Sequence, residues 1–182
     1  MLTIKSKAPI KKEIDYNILS ENYNKVNFDN FDFNTNIDNL KDVELGANIL
    51  LDSISKNLHI CIVTDYDFDG ISSAVVLTKG IKNILKHKNT TTVVNKRIYG
   101  NGFNPRIVRK ILDINSDKKI DLIITADHGS NDDEYYIELK NKIKDLKIIL
   151  TDHHTISKYP KNVDAFINPM REDSTYDKSI SG

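Results

Sequence analysis

The chain has 182 residues and a mass of 20.8 kDa, which is long enough for one ordinary domain and too short for two well-buried ones. Hydrophobic residues make up 39% of the sequence and charged residues 29%, a balance that excludes a disordered chain and a membrane-spanning protein. The 26 basic and 26 acidic side chains cancel, so a polyanionic partner would have to be held by a local patch of charge.

Cys61 is the only cysteine and lies within an apolar run, which rules out an internal disulfide and fits a reducing compartment. The first twelve residues contain no continuous apolar run and no small-residue cleavage site, so they do not indicate secretion. The apolar runs of the sequence are far shorter than the roughly 18 residues that a membrane-spanning helix needs. We therefore expect a soluble, cytoplasmic protein without a membrane partner.

Residues 1–37 mix polar side chains with scattered aromatic residues and show no sustained period, which predicts an irregular N-terminal extension. From residue 38 to residue 56 the apolar residues have helical spacing, with Asp38 as a candidate N-cap. The domain itself is expected to occupy residues 38–182.

Strand-like and helix-like segments alternate through the rest of the chain. Four short segments rich in β-branched residues, and a weaker fifth, are predicted as strands: 58–64, 91–98, 120–126, 146–151 and 163–167. The stretches with helical spacing between them are 71–87, 105–114 and 132–144. Apolar strands separated by amphipathic helices predict a doubly wound α/β domain, with a mainly parallel five-stranded sheet and helices on both faces.

Acidic and imidazole side chains follow three of the predicted strands directly. They are Asp65, Asp67 and Asp69 after the first strand, Asp127 and His128 after the third, and Asp152, His153 and His154 after the fourth. Because the binding crevice of such a sheet lies beyond the carboxyl ends of the strands, we expect these groups to meet in one crevice.

So many carboxylates in one crevice would repel one another unless cations neutralise them. Asp65, Asp67 and Asp69 would point the same way on an extended strand end, which lets one segment bind two neighbouring ions. A mixture of aspartate and histidine ligands fits Mn²⁺ better than Mg²⁺ or Ca²⁺. Two such ions can clamp the oxygens of an in-line displacement at phosphorus, so the pattern predicts hydrolysis of a phosphoester or a phosphoanhydride. The alternative for a single loop is that an aspartate such as Asp69 only caps the following helix.

Three motifs in this order resemble the DHH phosphoesterase superfamily, and within it the RecJ-type exonucleases specific for single strands. They are VTDYDFDG at 63–70, TADHG at 125–129 and TDHH at 151–154. Two weaker matches lie at 97–104, where Arg97 precedes GNGFN, and at 167–169, which reads INP. The resemblance spans residues 40–182 and implies a parallel α/β domain that acts with two metal ions.

The resemblance implies a role for each matching position. The expected ligands of two Mn²⁺ or Mg²⁺ ions are Asp65, Asp67, Asp69, Asp127 and His153, with Asp127 as the bridge between the ions. The expected catalytic groups are His153, Asp69 and His154, of which His154 would contact the scissile phosphate or donate a proton. The residues expected to bind substrate are His154, Arg97, Gly100, Gly102 and Asn168.

The sequence departs from the RecJ pattern in two places. His128 stands where those relatives carry a small or polar residue, so it is either an additional ligand or a substitution without a role, and Asp152 is expected to orient its neighbours or to be a further ligand. In the family, a fourth metal-binding aspartate and a second domain follow the DHH motif, whereas this sequence ends at Gly182. Nearer candidates for that aspartate are Asp164, Asp173 and Asp177. We therefore expect either a fragment or a second polypeptide that supplies the remainder.

The resemblance favours a 5′ to 3′ exonuclease acting on single-stranded DNA in repair, recombination or replication. The first alternative keeps the chemistry and takes a short oligonucleotide, a cyclic dinucleotide or pyrophosphate as substrate. The second alternative is a non-catalytic, replication-associated binding module. No P-loop is found and Gly70 alone cannot form a dinucleotide-binding fingerprint, so nucleotide triphosphate hydrolysis and hydride transfer are not supported.

Overall fold

The computed structural model describes residues 37–178 and residue 180. The N-terminal extension predicted for residues 1–37 therefore lies, apart from Ile37, outside the described residues. Among the residues that are described, no helix is both long enough and apolar enough to cross a membrane.

The described chain alternates strands and helices from residue 43 onward. The strands are β1 (Ile60–Thr64), β2 (Thr90–Val94), β3 (Leu122–Ala126), β4 (Lys147–Thr151) and β5 (Ala165–Ile167). The helices are α1 (Val43–Ser55), α2 (Phe68–Lys79), α3 (Pro105–Asp117) and α4 (Asp133–Lys142). Two 3₁₀ turns, Ile37–Asn39 and Arg97–Tyr99, and a π-helical turn, Gly80–Ile84, complete the described elements.

The five strands form one sheet in the order β2-β1-β3-β4-β5, and every neighbouring pair is parallel. This confirms the predicted parallel α/β architecture. The chain moves from β1 to one side of the sheet and then returns to the other side of β1 with β3. A topological switch point therefore lies between β1 and β3, and the carboxyl ends of these two strands are where such a sheet binds ligands.

Both faces of the sheet are covered, as the continuous apolar strands predict. Cys61, Val63 and their equivalents in the other strands pack against α3 and α4, whereas Ile60 and Ile62 face the side that carries α1 and α2. Successive side chains of a strand point to opposite faces, so a strand buried between two helical layers needs apolar residues at every position. The Cys61 thiol is fully buried, and this burial raises its pKa to about 12.

The prediction that Asp38 caps the first helix is wrong. Asp38 lies in the first 3₁₀ turn, and α1 begins at Val43 after Asp42, which has a positive φ of 64°. The Asp42 carboxylate does not cap the helix and instead accepts hydrogen bonds from the Phe166 amide and the Arg171 guanidinium. The Asp42 carboxylate therefore bonds residues that are distant in sequence and does not cap the helix that follows it.

Two element boundaries differ from the predictions and matter for the site. The strand predicted for 91–98 ends at Val94, because Asn95 turns the chain and its side chain bonds the following loop. The helix predicted for 71–87 begins earlier, at Phe68, and its last part is the π-helical turn.

Candidate metal centre

A polar crevice lies at the carboxyl edge of the sheet, beside the switch point between β1 and β3. Its cavity has a volume of about 260 Å³. The residues that line it come from the loops after β1, β2, β3 and β4, and include Asp65, Asp67, Gly102, His128, Asp152 and His154. Of the eight groups predicted to meet here, Asp65, Asp67, His128, Asp152 and His154 line the crevice and Asp69, Asp127 and His153 do not. Asp127 and His153 nevertheless have ligand atoms within 4.8 Å of one of His154.

The loop after β1 turns at once into α2. Asp67 is the N-cap of this helix, and its Oδ1 accepts a hydrogen bond from the Gly70 amide at 3.0 Å. A Cβ at Gly70 would lie 2.4 Å from the Asp65 carbonyl oxygen, so only glycine lets the helix begin this close to the strand. The pKa of Asp67 is lowered, chiefly by the hydrogen bond from Gly70.

The expected extended arrangement of Asp65, Asp67 and Asp69 is wrong, because α2 starts at Phe68 and places Asp69 in its first turn. The suggestion that Asp69 caps the helix is wrong for the same reason. Asp65 is buried, and its Oδ1 accepts a hydrogen bond from the Tyr66 amide at 2.7 Å. Asp69 acts on the site through its charge, which is one of the smaller causes that raise the pKa of Asp127.

Asp127 is the most constrained carboxylate of the crevice. It directly follows β3 with a positive φ of 65° and is only 1% exposed. Burial, and then the neighbouring carboxylate of Asp67, raise the pKa of Asp127 to about 7. Neither of its carboxylate oxygens has a hydrogen-bond partner among the described residues. A buried acceptor without a donor, next to a second carboxylate, fits a divalent cation.

His153 faces the same carboxylate. Its Nε2 atom lies 3.0 Å from Asp127 Oδ1, and its Nδ1 atom lies 3.2 Å from the Ile180 carbonyl oxygen. A proton on Nδ1 would be donated to that carbonyl, which leaves the Nε2 lone pair free to bind a metal. The backbone thus selects the tautomer that a ligand needs.

Asp152 organises the DHH loop. Its Oδ1 accepts hydrogen bonds from the His153 amide, the His154 amide and His154 Nδ1, the last at 2.7 Å, while Oδ2 accepts one from the Ser130 amide. Burial alone would raise the pKa of Asp152, but the bonds from Ser130 and His154 lower it below its usual value. These contacts match the expectation that Asp152 orients its neighbours.

His154 is held by Asp152 and remains half exposed. Burial opposes its charged form, but the hydrogen bond and the negative charge of Asp152 prevail, so the net pKa of His154 is raised. Since Nδ1 is bound to Asp152, Nε2 is the atom left for a ligand or substrate.

Ligand atoms of Asp127, His153 and His154 all lie within 4.8 Å of one another, a group that could hold a metal ion. Asp67 is not a member of this group, although its carboxylate acts on the pKa of Asp127. The donor set of carboxylate oxygen and imidazole nitrogen is typical of Mn²⁺ and similar ions. Of the predicted ligands, Asp127 and His153 belong to the group, whereas ligation by Asp65, Asp67 and Asp69 stays a prediction.

His128 is buried in the wall of the crevice, with its ring centroid 5.2 Å from that of Phe103. Neither ring nitrogen has a hydrogen-bond partner among the described residues, and burial lowers the pKa of this imidazole. A neutral ring is available as a donor or acceptor, and the idea that it is an additional ligand stays a prediction. His59 and His87, in contrast, have their ring nitrogens bonded to the chain.

The loop after β2 carries the predicted glycines. Gly100 and Gly102 both have positive φ, and Gly102 lines the cavity whereas Gly100 and Arg97 do not. Asn95 holds this loop, since its Nδ2 donates to the Gly100 carbonyl at 2.8 Å and to the Gly102 carbonyl at 3.2 Å. The sequence analysis missed Asn95, which it placed inside the strand predicted for 91–98; a polar side chain after a run of β-branched residues was the available signal.

Asn168 lies below the crevice and is fully buried. Its Nδ2 donates to Ser130 Oγ at 2.8 Å and to the His154 carbonyl at 2.9 Å, and its Oδ1 accepts from the Met170 amide. The structure thus gives Asn168 contacts that hold the loops after β3 and β4 together, and direct binding of substrate stays a prediction.

Two of the nearer candidates for a fourth metal-binding aspartate are engaged elsewhere. Asp164 forms ion pairs with Lys140 and Lys147, and Asp173 forms one with Arg171. Neither aspartate lines the crevice. Another missed residue, Asp132, does line it, and its Oδ2 accepts a hydrogen bond from the Phe103 amide at 2.9 Å.

The family model of the DHH family, N-terminal domain, matches residues 59–182. The single-stranded-DNA-specific exonuclease RecJ of Haemophilus influenzae is 24% identical over 148 residues, which are 81% of this chain and 25% of that protein. The RecJ of Salmonella typhimurium is 26% identical over 144 residues, which are 79% of this chain and 24% of that protein. The chain thus spans about a quarter of the length of these relatives.

A crystal structure of exonuclease RecJ bound to manganese has a similar fold. The TM-score is 0.62 at 25% sequence identity, and the match covers 73% of this chain and 32% of that chain. Because the family model covers more than half of the sequence, the chain belongs to the DHH family.

Proposed function

We propose that this chain is the catalytic core of a metal-dependent phosphodiesterase that removes nucleotides from the 5′ end of single-stranded DNA. The observation that carries the proposal is the buried carboxylate of Asp127, which has no hydrogen-bond donor among the described residues, interacts with Asp67 and lies 3.0 Å from His153 Nε2. Such a group is stable in its charged form only with a cation beside it. The 5′ polarity and the single-stranded substrate come from the resemblance to RecJ.

Two Mn²⁺ or Mg²⁺ ions, when bound, would neutralise the carboxylates and stabilise the charge that develops on the phosphoryl oxygens. Asp67, Asp127 and His153 would hold these ions. Asp65 and Asp69 would complete the set from the loop and the first turn of α2. The chain itself supplies a rigid frame, because three parallel strands fix the loops that carry these groups.

His154 is the group of this chain that would act on the substrate. The bond from Nδ1 to Asp152 fixes the ring, and the raised pKa keeps more of it in the charged form near neutral pH. An imidazolium aimed at the scissile phosphate can stabilise negative charge and can give its proton to the leaving oxygen. Arg97 and the glycine turn at Gly100 and Gly102 would bind the terminal phosphate.

The test is hydrolysis of single-stranded DNA that is labelled at either end, with Mn²⁺, with Mg²⁺ and with EDTA. We expect release of mononucleotides from the 5′ end with the ions and no release with EDTA. Asp127→Asn should abolish the reaction, whereas Lys88→Gln, an exposed change at the opposite edge of the sheet, should leave it unchanged.

Release from the 3′ end alone, or hydrolysis that persists in EDTA, would contradict the proposal. Cleavage of a dinucleotide, a cyclic dinucleotide or pyrophosphate in preference to the long strand would instead support the alternative substrates. Manganese binding without any hydrolysis would point to the binding module.

A further inference from the structure

The segment from residue 96 to residue 110, called the basic segment below, is unlike the rest of this neutral chain. It contains five basic side chains and no acidic one, and it holds three of the four arginines of the sequence. The five are Lys96, Arg97, Arg106, Arg109 and Lys110. In a chain whose charges cancel overall, this is the kind of local patch that a polyanion requires.

The five cations of the basic segment are exposed, and none forms an ion pair with a carboxylate of the described residues. The fourth arginine shows the contrast. Arg171 is 6% exposed and is paired with Asp42 and Asp173, which is the structural use of an arginine. The five cations of the basic segment can therefore bind a negatively charged partner.

The basic segment borders the crevice. It runs from the end of β2 into α3, so its first part lies at the same carboxyl edge as the metal ligands. Asn101 and Gly102 line the cavity together with Asp67 and His154. A hydrogen bond of 2.5 Å from the Tyr66 hydroxyl to Asn101 Oδ1 ties the segment to the loop after β1.

An aromatic ring positions two of these cations. The Arg106 guanidinium lies 4.6 Å from the centre of the Tyr99 ring, and Lys96 Nζ lies 6.0 Å from it. Stacking on an aromatic face holds a guanidinium in place while its N–H groups remain free to bind phosphate.

Local helix energetics oppose this placement of charge. Arg106 lies in the first turn of α3, where the helix dipole favours acidic residues, and this turn contains none. A sequence that breaks a local rule without structural compensation marks a functional surface.

We propose that the basic segment binds the phosphates of single-stranded DNA as the strand leaves the metal centre, an inference that rests on the proposed function. Arg106, Arg109, Lys110 and Lys96 contact the backbone, and Tyr99 is a positioning residue for Arg106 and Lys96. The contacts are with phosphates, so the surface accepts any base sequence.

Exposed apolar groups on the same edge favour an unpaired strand over an acidic protein. Phe68, directly after Asp67, is 83% exposed, and Ile98 within the basic segment is 81% exposed. Unpaired bases stack on aromatic side chains such as Phe68 and can pack against an apolar group such as Ile98, whereas duplex DNA and acidic peptides offer no free base faces.

The test is binding of a fluorescent 20-nucleotide oligo-dT to the full chain in EDTA, followed by fluorescence anisotropy over a range of salt concentrations. Without metal no hydrolysis occurs, so the measurement is independent of the proposed activity. For Arg106→Gln/Arg109→Gln, we expect weaker binding and a salt slope that is smaller by about 1.4, because each lost single-strand phosphate contact removes about 0.7. The matched control, Lys79→Gln/Lys88→Gln, removes the same charge from exposed lysines on the far side of the sheet and should bind like the unaltered chain.

Variants of Tyr99 distinguish the positioning of the cations from the effect of net charge on binding. Tyr99→Phe keeps the ring and should bind normally, whereas Tyr99→Leu should weaken binding without any change in net charge. An unchanged salt slope in the arginine variant, an equal loss in the lysine control, or equal competition by duplex DNA or poly-glutamate would overturn the proposal. Each of these outcomes leaves metal-dependent hydrolysis, measured separately, unaffected.

Discussion

Two aspartates next to strands of the same sheet have opposite surroundings. Asp164 precedes β5, and its carboxylate accepts hydrogen bonds from Lys140, from Lys147 and from the Ile148 amide. Asp127 follows β3, is more deeply buried, and has no donor to either oxygen among the described residues.

The pKa values of the two groups record this difference. Burial would raise the pKa of Asp164, but the hydrogen bonds from Lys140 and Lys147 lower it below the usual value. The pKa of Asp127 is raised to about 7 by burial and by Asp67. A carboxylate that stabilises the fold is paired with lysine or arginine side chains of the same chain. A carboxylate that binds a metal has no such partner, so a metal ion can take that position.

The largest effect is expected from Asp127→Asn. This change should lower Mn²⁺ affinity by more than the roughly 10- to 100-fold that is typical for loss of an outer-shell partner. It should not lower the stability of the metal-free protein, because it removes a buried negative charge beside Asp67. Calorimetric titration with Mn²⁺ and thermal unfolding in EDTA measure the two effects, and Asp164→Asn is the matched control for metal binding.

The pH dependence of the same variant sharpens the test. A raised folded-state pKa means that Asp127 stabilises the metal-free fold below about pH 4, and that this contribution is lost as pH rises to about 7. Unfolding in EDTA at several pH values should show this loss in the unaltered chain and not in Asp127→Asn. Identical profiles for the two proteins would show that Asp127 titrates normally.

An intermediate effect is expected from Asp152→Asn, which tests orientation and not ligation. An amide cannot accept all the bonds that Asp152 receives from His153, His154 and Ser130, so Mn²⁺ affinity should fall by about 10- to 100-fold. The pKa of His154 should fall as well, because its charged partner is gone. NMR titration of the imidazole checks this, with Asp133→Asn as a control that alters a loop-holding carboxylate outside the crevice. A normal affinity for Mn²⁺ would show that the orientation of the DHH loop does not depend on this carboxylate.

The smallest effect on the site, and a clear effect on the fold, is expected from Asp164→Asn. Loss of its charged hydrogen bonds should cost about 1–3 kcal/mol of unfolding free energy and leave Mn²⁺ affinity unchanged. Since the folded-state pKa of Asp164 is lowered, its stabilisation is present above about pH 4 and is lost as pH falls. Denaturant unfolding at pH 7 and at acid pH should therefore show the variant and the unaltered chain converging at the acid end.

Much of the architecture could be predicted because buried parallel strands have a distinctive sequence. Ile60–Thr64 and Leu122–Ala126 are buried at every position, and each is apolar except for one threonine, which is how two-sided burial appears in a sequence. Their ends were harder to locate, as Asn95 shows: an asparagine after a strand reads as an ordinary turn residue, and its bonds to the glycine loop exist only in the folded chain.

The sequence predicted which types of residue form the site, but it did not predict the position of each side chain or its contacts. The position of Asp69 depended on where α2 begins, and that start is set by the close approach of Gly70 to the Asp65 carbonyl. The contacts of Asn168 join the loops after β3 and β4 and have no counterpart in local sequence patterns.

By itself, the order of residues determined that apolar strands alternate with helices, and that aspartate and histidine side chains follow three of those strands. These are properties of neighbours in the chain, so local patterns contain them. Only the tertiary structure decided which carboxylate lacks a hydrogen-bond donor, which nitrogen of His153 faces Asp127 and which arginines form no ion pair, all among the described residues. Those outcomes depend on burial and on partners that are distant in sequence, because the electrostatic environment of a group is set by what surrounds it in space.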